Sequence, residues 1–235
     1  MAVAVRLNPK ILPAALALGL LALGIPQTGD SILWLMTGDT PEQLGAASPD
    51  SVDAAARNVT LLERADSWFG DPRALIRAGI LRMRLATTGT GPDGKPAVAK
   101  PELDHAIADL TDGLMRAPAN AIGWTALAEA NIATDDRPRA RNALSTSLLI
   151  DNNDPDLSLW RCEIGLALWS YFNNDERRMW NNQVILAWRN NPGDLVDLAH
   201  QDGGVNALLI RLALLSDRTR LDEFDKVYNQ YYGKH

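Results

Sequence analysis

From position 48 onward the sequence is a succession of apolar stripes at three- and four-residue steps, each bracketed by its own start and stop signals. Ser48-Pro49 opens the first. Val52, Ala55, Val59, Leu62 and Phe69 carry its stripe, and Gly70 closes it. Asp71-Pro72 opens the second, which runs through Leu75, Ile76, Ile80 and Met83 to about Thr87. A polar insert, TTGTGPDGKPAVAKP, fills Thr87 to Pro101, and its glycines and prolines mark an exposed loop. Further helices are expected to begin near Glu102, Ala121, Pro138, Leu157, Asp175 and Leu195. A capping box at Thr219 and Asp222 would precede a last stripe of Leu221, Phe224, Val227, Tyr228 and Tyr231. No stretch alternates with period two between hairpin turns, so the fold class is all-α, with short connections that make neighbouring helices antiparallel.

Residues 1–36 read differently. Arg6 and Lys10 precede an apolar run from Ile11 to Ile25, broken by Pro26 and Gly29, and a short patch from Ile32 to Met36 holds Trp34. As a helix the run spans roughly 22 Å, against a hydrocarbon core of about 30 Å. Two readings fit, besides a core helix buried within the protein. One is an uncleaved signal anchor; the other is a signal peptide cut after Gly24, where Ala22 and Gly24 supply small residues. Pro26 and the patch around Trp34 favour the anchor. Nearby basic residues lie before the run and Asp30, Asp39 and Glu42 after it, so residues 37–235 are expected on the translocated side of the membrane. In a bacterium that is the periplasmic face of the inner membrane.

Composition narrows the function classes. A net charge of −6 without a basic run argues against nucleic acid, which is bound through clustered lysines and arginines. The single cysteine, Cys162, and three scattered histidines supply no zinc cage, and no cofactor is expected. Gly89 to Lys95 imitates a phosphate-binding loop, but Pro96 stands where the magnesium-binding hydroxyl belongs, and a helix comes before the loop instead of a strand. Asp151 to Asp156 offers oxygen donors, yet Pro155 and the missing glycine spoil calcium-loop spacing. A turn with Asp154 as N-cap is the better reading. Cys162, with no histidine near it, reads as a buried apolar thiol.

Trp124, Leu127 and Ala128 on one expected helix, followed by Ala140 and Leu144 on the next, resemble the tetratricopeptide repeat. Asn131 replaces the family tyrosine, and Asn152 stands in place of the closing proline. Ala106, Leu110, Gly113 and Pro118 fit the second half of the preceding unit, with Gly79 as the small packing residue of its first helix. Ile164, Tyr171, Val184, Ala187 and Pro192 fit a third unit, in which Trp180 takes a position the family gives to alanine, requiring that pair to spread or tilt. The repeat-like core covers about residues 71–192. The resemblance implies a short superhelix of stacked pairs and a concave face for a partner protein. Ile122, Thr125, Glu129 and Ile132 are the expected partner-binding strip. The anchor, the degenerate repeats and the stretch LLIDNNDPDLSLWRCEIGLALW also resemble small inner-membrane accessory proteins of bacterial exopolysaccharide machinery, which implies a partner in polysaccharide assembly or export.

The expected function is therefore a non-enzymatic, membrane-anchored periplasmic scaffold. Two rivals remain open. One is a small glycan-active enzyme using Glu163, which stands beside the stripe of Leu157, Trp160, Ile164 and Leu168; against it, no second carboxylate stands at workable spacing, and Arg177 and Arg178 on the next helix offer Glu163 plain ion-pair partners. The other is an assembly chaperone of another periplasmic system, such as cytochrome maturation. The seven tryptophans are read as core packing, with any exposed ring sought on the third unit.

Overall fold

The computed structural model describes residues 49–88 and 99–233. The N-terminal apolar run, Trp34 and the phosphate-loop imitation lie outside the described residues, as does the side chain of Trp68. Among the described residues no helix is long and apolar enough to cross a membrane.

Among the described residues ten α-helices follow one another: α1 (Pro49–Phe69), α2 (Pro72–Thr88), α3 (Lys100–Arg116), α4 (Ala121–Ala133), α5 (Arg137–Ile150), α6 (Pro155–Leu168), α7 (Asn174–Asn190), α8 (Pro192–His200), α9 (Val205–Leu214) and α10 (Arg218–Tyr232). Consecutive helices pack as antiparallel pairs, and α2, α4 and α6, the first helices of three successive pairs, also touch in sequence. A continuous apolar core runs from Ile76 on α2 to Phe224 on α10. Helix α2 is buried on two sides. Ile76, Ile80 and Met83 face that core, whereas Ala74, Ala78 and Leu81 join Ala55, Val59, Leu62 and Ala65 of α1 in a second cluster.

Small residues set how closely the pairs approach. A Cβ on Gly79 would lie 2.6 Å from Leu110 Cγ and 3.0 Å from the Ala106 carbonyl oxygen, and one on Gly113 would lie 2.9 Å from the Pro72 carbonyl oxygen. The α2–α3 contact therefore tolerates nothing larger than glycine at either point. Trp180, fully buried, is accommodated in the third pair by Gly165. A Cβ there would sit 2.0 Å from the indole Cδ1, so the glycine supplies the width expected from a spread of the helices.

Several terminators match their residues. Gly70 closes α1 at φ +65°, and Asp154 caps α6 by accepting from the Asp156 N–H at 2.9 Å. Two expectations need correction. The N-cap of α10 is Asp217, whose carboxylate accepts from the Arg220 N–H at 3.2 Å, because the helix begins before Thr219. The segment after Leu195 is two helices, since Asp202, Gly203 and Gly204 take successive left-handed conformations and no α-helix continues through them.

Candidate functional site

The strip expected on α4 is split by the packing around it. Thr125 is fully buried, 2.7 Å from Ser147 Oγ and donating to the Ala121 carbonyl at 3.0 Å. It is a core residue and no partner can reach it. The correction has a simple cause: α4 is hemmed in by α2, α5 and α6, so the face that i, i+3, i+7 spacing assigns to solvent is partly covered by α5. Ile122 remains on the surface at 38% exposure. Glu129 and Ile132, in contrast, line a pocket.

That pocket, of about 230 Å³, is walled by Met83 and Thr87 of α2, Glu129 and Ile132 of α4, and Trp160 and Glu163 of α6. Three successive pairs thus contribute their first helices to a single depression. Arg84, Glu129 and Trp160 tie these helices together across it. The Trp160 Nε1–H donates to Glu129 Oε2 at 2.6 Å, Arg84 pairs with Glu129 Oε1 at 3.5 Å, and the Arg84 guanidinium stands 5.2 Å from the Trp160 ring centre. Glu129 is therefore fully engaged rather than a free surface charge.

Glu163 is different. Among the described residues its carboxylate makes no hydrogen bond or ion pair, and it lines the pocket with one flank exposed. Partial burial against the pocket wall, and secondarily the Glu129 charge, raise its carboxyl above the ordinary carboxylate range, while Arg84 opposes the rise. The cation whose charge acts on it is thus Arg84. Arg177 lies 5.1 Å from the Trp169 ring centre and Arg178 pairs with Asp175, so neither is the partner expected from sequence. The neighbouring Glu129 carboxylate was not legible either, because it comes from a helix 34 positions earlier along the chain.

Other candidates resolve into structure. Cys162 is buried, and burial pushes its thiol up, away from reactivity. Asp151 and Asn152 serve the α5–α6 turn: the Asp151 carbonyl accepts from Arg161 at 2.6 Å and Asn152 accepts from Gln183 Nε2 at 2.7 Å. Among the described residues no group of histidine, cysteine or carboxylate side chains is placed to hold a metal ion. Trp180 and Trp188 are core, whereas Trp160, Trp169 and Trp124 are half-buried. Trp124 hydrogen-bonds the Pro118 carbonyl at 2.8 Å and borders a second cavity of about 490 Å³. There Thr111, Asn131 and Thr146 turn back onto carbonyls of their own helices, leaving few polar groups aimed at a ligand.

Residues missed by sequence reasoning include Arg161 and Glu176. Glu176 closes a true capping box with Asn173 and also accepts from Arg141 at 2.9 Å and Ser145 at 2.6 Å. Burial alone would raise its carboxyl, but the hydrogen bonds from Ser145, the Asn173 N–H and Arg141 override burial and hold it low. The N-x-x-E spacing was the available signal. Comparison with protein-family models, with curated proteins and with solved structures finds no match to this chain, so its functional reading rests on its own residues.

Proposed function

We propose that this chain is a non-enzymatic adaptor, a short superhelix of tetratricopeptide type, that binds a partner protein on the face formed by α2, α4 and α6. On this reading the N-terminal apolar run holds it in a bacterial inner membrane, with residues 37–235 in the periplasm. The resemblance to accessory proteins of exopolysaccharide machinery supports a partner in polysaccharide assembly or export. The observation that carries the proposal is the pocket itself: apolar walls from three successive pairs around one unpaired carboxylate, a shape suited to a side chain presented by another polypeptide.

A glycan-active enzyme is the second reading, favoured by the meeting of Glu129 and Glu163 beside Trp160. Glycosidic hydrolysis normally employs two available carboxyl groups, however, and Glu129 is already committed to Trp160 and Arg84. The adaptor reading is tested by Ile132→Asp, with Leu149→Asp on α5 as a control, since Leu149 is 74% exposed. Ile132→Asp is expected to keep the helical signal and lose the co-purifying envelope partner, while Leu149→Asp retains it. Full retention by Ile132→Asp would overturn the assignment of this face.

A further inference from the structure

We infer that the pocket between α2, α4 and α6 receives a lysine side chain from the partner, its aliphatic stem against Ile132 and Trp160 and its ammonium beside Glu163. This deepens the adaptor reading and rests on it. Three observations converge. At about 230 Å³ the pocket is smaller than the roughly 300–1,000 Å³ clefts that hold small-molecule ligands, and it suits one long side chain. Its walls are mostly apolar, with Met83, Ile132, Ile164 and Ala167 among them, which matches a four-carbon stem. The charges that face it are Arg84 from α2, Glu129 from α4 and Glu163 from α6. Arg137, at the start of α5, reaches the Ala167 carbonyl at 3.4 Å but is already paired with Asp135.

The pocket therefore carries an excess of one negative charge, and that charge is on Glu163, the carboxylate with no partner of its own. An arriving cation would fill this vacancy in the charge pattern, whereas an arriving anion would meet two carboxylates. Lysine fits better than arginine. A guanidinium draws much of its advantage from stacking on an aromatic face, and Arg84 already stands over the Trp160 ring, whereas a compact ammonium needs only the one unpaired carboxylate.

The test uses the full-length chain in mild detergent and three fluorescein-labelled peptides, Ala-Ala-Leu-Xaa-Leu-Ala-Ala, with Xaa lysine, norleucine or glutamate. The lysine peptide is expected to bind about tenfold more tightly than the norleucine peptide at neutral pH. Glu163→Gln should remove that difference. Lysine stays protonated over the whole range, so its advantage should also fade as the pH falls through the raised Glu163 carboxyl and that group is neutralised. Equal binding of lysine and norleucine, a preference for glutamate, or a lysine advantage that persists in Glu163→Gln would each overturn the inference. Those outcomes would leave the adaptor reading standing, provided that peptide binding is lost in Ile132→Asp. A second variant, Ala167→Phe, fills the pocket from an exposed position and replaces Ile132→Asp if the latter melts early. Should no peptide bind while partner retention still depends on Ile132, the lysine inference falls alone. Should retention be indifferent to both pocket variants, the two fall together.

Discussion

Gly165→Ala is expected to lower the stability of the folded chain by about 3 kcal/mol, at the upper end of ordinary overpacking costs. At an exposed helical position the same change would stabilise by roughly 1 kcal/mol, because alanine is the better helix former. The sign reverses here because the new methyl would sit 2.0 Å from Cδ1 and 2.1 Å from Nε1 of Trp180, a rigid ring with no exposed surface. The ring is held in place by its Nε1–H bond to the Cys162 carbonyl at 3.2 Å and by edge-on packing with Trp169 at 5.0 Å. It cannot move aside without losing both. Thermal unfolding should show a midpoint lower by roughly 6–12 °C. Adding Trp180→Leu should then cost less in the Gly165→Ala background than in the parent, with a coupling above about 1 kcal/mol. Simple additivity would show that Gly165 and Trp180 do not share one packing constraint.

The second large effect is expected at Arg161→Ala, about 4 kcal/mol, from a cavity together with orphaned acceptors. Arg161 is fully buried and has no carboxylate within ion-pair distance among the described residues. Its guanidinium donates to Ser147 Oγ at 2.9 Å, the Asp151 carbonyl at 2.6 Å and Gln183 Oε1 at 3.2 Å, thereby closing the negative end of α5 from the next pair. Burial lowers its pKa, with Asp154 and Asp151 opposing. Arg161→Met separates the contributions. It restores volume and relieves the buried charge but leaves the Asp151 carbonyl and Gln183 Oε1 unsatisfied, so roughly half the loss should remain. Denaturant titration of the two variants measures the difference. A methionine variant as stable as the parent would mean that the hydrogen bonds contribute no net stability.

Both predictions turn on residues whose importance was hidden in the sequence, and the reason is the same. Helix existence is local: Pro49, Pro72, Asp154-Pro155 and Gly70 announce their helices through the backbone they permit, and the apolar stripes follow. Gly79 and Gly113 were legible too, because a repeat pattern places small residues at crossing points. The compensation between Trp180 and Gly165 joins two helices, and no spacing rule within either helix reveals it. The Asp202-Gly203-Gly204 break was available as a turn signal, but the apolar run on both sides hid it.

The site divides along the same line. Glu129 and Ile132 were placed on the expected strip by helical spacing together with the repeat resemblance, and both line the pocket. Thr125 failed because burial depends on which neighbour covers a helix face, a fact that α5 and Arg161 decide. The partnership of Glu129 with Trp160 and Arg84 spans residues from three pairs, so it becomes visible only once the pairs are stacked.

The adaptor account is tested most directly by site-specific photo-crosslinking in intact membranes, with a photoreactive amino acid at position 132 in one variant of the full chain and at position 149 in another. The account predicts that position 132 captures an envelope protein, and that mass spectrometry finds the crosslinked peptide centred on a lysine-bearing segment. Position 149, on the exposed side of α5, should capture none. Capture from position 149 with none from position 132 would contradict the claim that the first helices of the pairs form the recognition face.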